Sequence, residues 1–193
     1  AVRRAEISRK TAEPEIYLTL DLDGDAEGGI STGVGFLDHM LTLFSRNAGF
    51  GLSVRCQGYS WVDGHHTVED VGLALGEALK SALGDKRGIR RYGDIVLPMD
   101  EALILCAVDL GGRPCLRYTA QIPSARVGDF DTELAREFMQ ALANSAGMAL
   151  HIRQLDGENS HHIIEAMFKA LGRALSEAAE IAGTDVPSTK GVL

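Results

Sequence analysis

Residues 63–79 read DGHHTVEDVGLALGEAL, and residues 159–175 read NSHHIIEAMFKALGRAL. His65, His66 and Glu69 of the first stretch fall against His161, His162 and Glu165 of the second, and LALGEAL falls against KALGRAL. The match continues upstream, where AGFGLSV (48–54) meets AGMALHI (146–152) and LDLDG (20–24) meets VDLGG (108–112). One unit is written twice, and the order of its elements can be read from either copy.

In the first copy, residues 2–22 predict two strands joined at 11–14, from the alternating or continuously apolar run EIYLTLDL. Leu37, Met40, Leu41 and Phe44 recur at helical spacing over 36–47, a strand follows over 50–56, and a loop spans 58–64. The helix over 65–83 carries an apolar stripe of Val68, Val71, Leu75 and Leu79. The second copy predicts strands over 93–99, 102–110 and 115–122, a helix over 132–146, a strand over 148–154 and a helix over 161–181. The fold class is therefore α+β, a tandem duplication of a β-β-α-β-α half with helices packed on one face of each sheet. Residues 1–92 form the first half-repeat. Residues 93–193 form the second with the C-terminal tail, the two making one compact pseudo-twofold unit with an extra strand possible in the second copy.

On a helix, residues i and i+4 share a face, so His65 with Glu69 can grip one ion, as can His161 with Glu165. Successive side chains point roughly 100° apart, so adjacent histidines serve two ions better than one. In the repeat register His39 falls opposite Glu137. A pseudo-twofold then gives one set of His65, Glu69, Glu137 and His162, and a second of His161, Glu165, His39 and His66, closing within a chain or between subunits. Four nitrogen and oxygen ligands without a thiolate leave two positions open on a six-coordinate ion. That favours Mn(II), with Fe(II), Ni(II) and Zn(II) compatible, and points to catalysis rather than structure. The competing reading makes the histidines decorations of helix starts capped by Asp63 and Asn159. Two copies in register argue against it. His151 meets Ser53 rather than a histidine and reads as a satisfied polar residue in mid-strand.

The formal charge of −8 argues against nucleic-acid binding through a basic face, and the 45% hydrophobic content suffices for a packed core. The longest apolar run, 102–108, is too short to cross a bilayer, so no membrane is expected. Cys56, Cys106 and Cys115 lack CxxC spacing and read as buried free thiols in a reducing compartment. An anionic substrate needs a local basic pocket, for which Arg90, Arg91, Arg113 and Lys190 are candidates. Ser188-Thr189-Lys190-Gly191 offers hydroxyl, amine and bare backbone together. GVGFLD (33–38) lacks the last glycine of a phosphate-binding loop and is discounted. Glu13, Asp100 and Glu101 sit at matching places in the two strand pairs and could supply acid and base groups.

Taken together, GFLDHML, DGHHTVEDVGLALGEAL, GIRRYGD, PMDEALI, DLGGRPCL, GENSHHIIEAMFKALGRAL and PSTKGVL resemble the imidazoleglycerol-phosphate dehydratases of histidine biosynthesis, nearly end to end. The resemblance implies an enzyme with two Mn(II) per active site, built as a 24-subunit homo-oligomer from trimers, with metals at subunit contacts. It carries over His39, His65, His66, Glu69, His161, His162 and Glu165 as ligands, with Glu137 standing where the family usually has histidine. It further implies that Arg91, Arg113, Ser188 and Lys190 hold the substrate phosphate. Glu13 and Asp100 lie by the reacting diol, and Glu165 joins them among the catalytic groups. Leu43 and Asn47-Ala48 also depart from the family pattern.

The implied reaction is dehydration of imidazoleglycerol phosphate to imidazoleacetol phosphate, a lyase step through an imidazolate bridging two metal ions. A hydrolase using metal-bound hydroxide and a non-catalytic, metal-dependent assembly protein are the alternatives. The expected compartment is the cytoplasm, or the plastid stroma for a plant protein.

Overall fold

The computed structural model describes residues 2–10, 15–57 and 64–193. The first half contains β1 (Arg4–Lys10), β2 (Glu15–Asp21), β3 (Ile30–Ser31), α1 (Gly35–Ala48), β4 (Gly51–Gln57) and α2 (Gly64–Leu83). The second contains β5 (Tyr92–Met99), β6 (Ala102–Asp109), β7 (Cys115–Thr119), the small hairpin β8 (Arg126–Val127) and β9 (Phe130–Asp131), α3 (Leu134–Ala146), β10 (Ala149–Asp156) and α4 (Ser160–Ala179).

The two four-stranded sheets have the same topology. The first runs β1-β2-β4-β3 and the second β5-β6-β10-β7. In each, three strands are antiparallel and the fourth adds in parallel, with Ile30 opposite Val54 in one and Tyr118 opposite Ile152 in the other. The extra strand expected of the second copy alone thus has a two-residue counterpart, β3, in the first. It is too short to leave an alternation signal.

The repeated AG dipeptides end helices. Gly49 and Gly147 adopt φ of 70° and 69° at the C-caps of α1 and α3, a left-handed conformation that costs a glycine little. The amides of Phe50 and Met148 then turn back to the carbonyls of Ser45 and Ala143. α4 closes at Ala179 rather than 181, because the carbonyls of Ala178 and Glu180 accept from Arg91 and Arg90, and Ile181 bridges to Ile89. α3 begins at Leu134 rather than 132, since the Thr132 hydroxyl donates to the Ser124 carbonyl.

Each sheet is covered on one face by its own helices, while α2 packs on α3 and α1 on α4. The repeated LALG and KALG explain these crossings. A Cβ on Gly172 would lie 2.6 Å from the Phe44 carbonyl oxygen of α1, and one on Gly76 would lie 2.8 Å from the Leu142 carbonyl oxygen of α3. Bare backbone at both places lets the halves approach closely. Phe44, Phe138 and Phe168 are fully buried in this helical layer, with the Phe138 and Phe168 rings 5.2 Å apart.

Cys106 is buried, but Cys56 is half-buried and Cys115 is exposed, correcting the expectation of buried thiols throughout. β7 is the edge strand of its sheet, and Cys115 points to its open face. His151 is likewise exposed on the outer face of β10. No helix among the described residues is long and apolar enough to cross a membrane.

Candidate metal centre and active site

The close crossing of α1 and α4 brings a histidine from one half to a histidine and a carboxylate from the other. Ligand atoms of His39, His161 and Glu165 all lie within 4.8 Å of one another. His39 Nε2 is 3.7 Å from Glu165 Oε1, and His161 Nε2 is 3.8 Å from Glu165 Oε2. The carboxylate is deeply set, its side chain 9% exposed against 52% for His39. Phe36 packs edge-on to the His161 ring at 5.3 Å. Asp129 fixes the start of α1 by accepting from the amides of Gly35 and Phe36 at 2.7 and 3.1 Å. Those amides, part of the discounted GVGFLD loop, are thereby occupied.

These donors fit a transition-metal ion. Ring nitrogens and carboxylate oxygens bound at about 2.0–2.2 Å to one ion stand roughly 3–4.5 Å from each other, and the two histidine–carboxylate separations of 3.7 and 3.8 Å fall in that range. They exceed hydrogen-bond length, so the buried carboxylate is not satisfied by its histidine neighbours. Lys169, one turn further along α4, holds its Nζ 3.8 Å from Glu165 Oε1. Its position four residues after Glu165 puts it on the same face of the helix.

His162 faces elsewhere, as the helical step between neighbours requires. Its Nδ1 lies 2.5 Å from Glu101 Oε1 and its Nε2 lies 3.6 Å from Asp100 Oδ2. Glu101 also accepts from the amides of Glu158 and Asn159, at 2.7 and 3.0 Å. Those two amide bonds, with the His162 bond, pull the Glu101 carboxyl down to about 2, and the same carboxylate raises the His162 pKa. Asn159 does cap α4, accepting from the His162 amide at 3.0 Å. Asp100 occupies the β5–β6 turn with φ of 50°, a left-handed conformation that aspartate tolerates.

On α2, the His65 and His66 rings stand 6.2 Å apart and nearly perpendicular. Glu137, on the partner helix α3, lines a surface cavity with Tyr118, Thr132 and Arg136. Among the described residues, only His39, His161 and Glu165 make a three-ligand group; His65, His66, Glu69, Glu137 and His162 do not join one. Glu13 and the Asp63 cap lie outside the described residues.

Arg91, Arg113, Ser188 and Lys190 line one cavity of about 660 Å³, floored by Gly111 and closed by the C-terminal segment. Arg91 has φ of 75° and donates to Asp109 at 2.8 Å and to the Pro187 carbonyl at 3.0 Å. The bond to Asp109 raises its pKa. Asp109, unremarked in the sequence beyond its place in the repeated VDLGG block, thus aims a cation into the cavity. Arg90 is not there; it pairs with Glu180 at 2.8 Å. The Ser188 hydroxyl accepts from the Lys190 amide at 3.1 Å, folding the STKG segment into a turn.

Residues 32–175 match the protein family described as imidazoleglycerol-phosphate dehydratase. Curated relatives of that name include one from Lachnoclostridium phytofermentans, 55% identical over 99% of this chain and 95% of its own length. Another, from Jannaschia sp., is 54% identical over the full length of both. The chain belongs to the imidazoleglycerol-phosphate dehydratase family. Two solved dehydratases share its fold. The Staphylococcus aureus enzyme is 40% identical, with a TM-score of 0.84 over 94% of this chain and 99% of that one. The Pyrococcus furiosus enzyme, solved in complex with (S)-C348, is 38% identical with a TM-score of 0.86, covering 97% of this chain and all of that one. The duplicated α+β architecture is therefore the dehydratase fold.

Proposed function

We propose that this chain removes water from imidazoleglycerol phosphate to give imidazoleacetol phosphate, a lyase reaction of histidine biosynthesis. The observation that carries the reading is the convergence of His39, His161 and Glu165 from two different half-repeats, within 4.8 Å, in a chain of this family. In the reaction the carbon bearing the imidazole loses its hydrogen, the neighbouring hydroxyl leaves as water, and the resulting enol becomes the ketone. No carbonyl flanks that carbon, so the protein must stabilise negative charge on the ring itself.

His39, His161 and Glu165 would hold one manganese ion, and His65, Glu69 and Glu137 its pseudo-symmetric mate, giving two per active site. His66 and His162 would complete the sets from a neighbouring copy. When bound, the ions supply Lewis-acid stabilisation of the ring. The residues of the chain do the rest. Arg91, Arg113, Ser188 and Lys190 would bind the phosphate, with Asp109 holding Arg91 toward the cavity. Asp100 and Glu13 would carry protons between carbon, hydroxyl and water, Glu13 also touching the substrate.

The partner copies are proposed to form a 24-subunit particle assembled from trimers, of roughly 500 kDa for a 20.7 kDa chain. The outward face of the second sheet supports association, since Val96 and Leu155 are about half exposed beside half-buried Leu103 and Leu105. The proposed compartment is the cytoplasm, or the stroma in a plant. No nucleic acid or membrane enters the proposed function.

The test is turnover of imidazoleglycerol phosphate by metal-stripped protein with and without Mn(II), alongside light scattering for particle mass. Activity that appears only with Mn(II) is expected. Manganese binding without turnover would refute the dehydratase reading and favour metal-dependent assembly instead.

A further inference from the structure

We infer that Glu101 is a positioning residue for the metal centre, fixing the ring orientation and tautomer of His162 so that only Nε2 is offered to an ion. The inference rests on the dehydratase reading above and deepens it, because Glu101 is not itself among the proposed ligands.

The geometry is specific to one of two adjacent histidines. Glu101 is the second residue of the two-residue turn that joins β5 to β6, with Met99 opposite Ala102. One carboxylate oxygen takes both amides that precede α4, those of Glu158 and Asn159. The other lies 2.5 Å from His162 Nδ1. A carboxylate held by two amide donors accepts and does not donate, so the hydrogen of that short contact sits on Nδ1. In the neutral ring, Nε2 then carries the lone pair. The same group that anchors the start of α4 therefore also sets which ring nitrogen can ligate. His162 is 29% exposed at its side chain, so without this contact the ring would be free to turn.

Among the described residues, His161 has no such carboxylate at its second nitrogen. Its Nε2 faces Glu165, and its ring is steadied by Phe36 instead. The two neighbours are thus held by different devices, an apolar edge for one and an anchored carboxylate for the other. Ligating histidines commonly depend on a carboxylate at the second nitrogen, and losing it weakens metal binding about 10–100-fold.

The experiment is calorimetric titration of Mn(II) into the metal-stripped full chain and into Glu101→Ala, Glu101→Gln, Glu101→Asp and Asn159→Ala. Wild type is expected to take two ions per chain. Glu101→Ala is expected to weaken one of them by about 10–100-fold and leave the other unchanged. Glu101→Gln has one acceptor oxygen for two places, so its NH2 group must oppose either the two amides or the Nδ1 hydrogen, and it should weaken the same single ion as Glu101→Ala does. Asn159→Ala removes the helix cap alone and should lower the melting temperature without selective loss of one ion. If alanine prevents folding, Glu101→Asp serves in its place, since its shorter reach should weaken the same single ion. Two unchanged affinities in Glu101→Ala or Glu101→Asp would overturn the inference, as would an equal selective loss in Asn159→Ala. Failure of wild type to bind Mn(II) at all would sink the metal reading itself, and is distinguishable from these because it appears without any substitution.

Discussion

Gly172→Ala should weaken the fold and the metal centre together. A Cβ at this position would stand 2.6 Å from the Phe44 carbonyl oxygen, 3.0 Å from the Ala48 amide nitrogen and 3.1 Å from the Asn47 Cβ. Ordinary contact needs roughly 3.5 Å, so α1 and α4 must part by roughly 0.9 Å. Two of the three atoms are backbone and cannot rotate away. Against this, alanine is the better helix former by about 1 kcal/mol. Overpacking of a tight interior costs about 1–3 kcal/mol, and backbone contacts put this case near the top of that range. The net expectation is a loss of about 1–2 kcal/mol, read as a fall in melting temperature of about 2–8 °C for a chain of this size.

The displacement also reaches the site, because His39 lies on the helix being pushed away from His161 and Glu165. A ligand set tolerates about 0.5 Å of error, so Mn(II) affinity should fall as well. Scanning calorimetry of the metal-free protein and a Mn(II) titration measure the two effects. Gly76→Ala is the control. Its Cβ would crowd the Ser145 hydroxyl, which would have to give up its bond to the Leu73 carbonyl, and two backbone atoms at 2.8 Å, so it should destabilise the fold comparably while sparing the His39 centre. A Gly172→Ala protein that melts at or above wild type and binds Mn(II) equally well would refute the reasoning. Helix propensity, not the crossing, would then govern that position.

Ellman's reagent at pH 8 should label one thiol per chain at once, that of Cys115, because burial pushes the thiols of Cys56 and Cys106 up to about 12. Those two should react only after unfolding, or as the pH approaches that value, and three fast thiols would contradict the buried assignment. Asp129→Ala leaves the Gly35 and Phe36 amides without their acceptors and should cost about 1 kcal/mol, seen as a fall in melting temperature that Asp129→Asn, with one acceptor oxygen for two amides, avoids only in part. Arg91→Gln should raise KM for the phosphate substrate with little change in kcat, since the group binds a part of the substrate that does not react; a fall in kcat at constant KM would argue otherwise. Glu101, held at about 2 in the folded chain against about 4.3 unfolded, stabilises above the unfolded value and loses its contribution as pH falls toward 2. The acid-unfolding curve of metal-free Glu101→Gln should therefore converge on that of wild type below about pH 2–4, and a constant offset across that range would exclude the linkage.

Repetition made most of the fold legible. Periods of two and of three to four residues assigned the strands and helices, and AG at two helix ends fixed where each copy turns. Short or non-local features escaped. β3 is two residues long, and α4 stops at Ala179 because its last carbonyls are taken by residues 90 and 91, far away in sequence. Local helical geometry paired His161 with Glu165 and separated His162 from them. It could not give His162 its partner, since Glu101 comes from the β5–β6 turn, 61 residues earlier in the chain. Nor could it show that the C-terminal STKG turn closes over Arg91 and Arg113.

The two repeats also differ where the register says they should match, and the difference is one of charge. In the first group, His39 faces Glu165 across the α1–α4 crossing, a ring nitrogen against a carboxylate oxygen at 3.7 Å, with no like charge opposed. The equivalent positions on α2 and α3 are Glu69 and Glu137, two carboxylates where the first set has one. Like charges at short range repel unless a cation lies between them. Among the described residues His39, His161 and Glu165 converge, and His65, Glu69 and Glu137 form no matching group. One difference between the copies, histidine for glutamate, gives the first set one carboxylate and the second set two, so the second should hold a divalent cation with one more unit of negative charge.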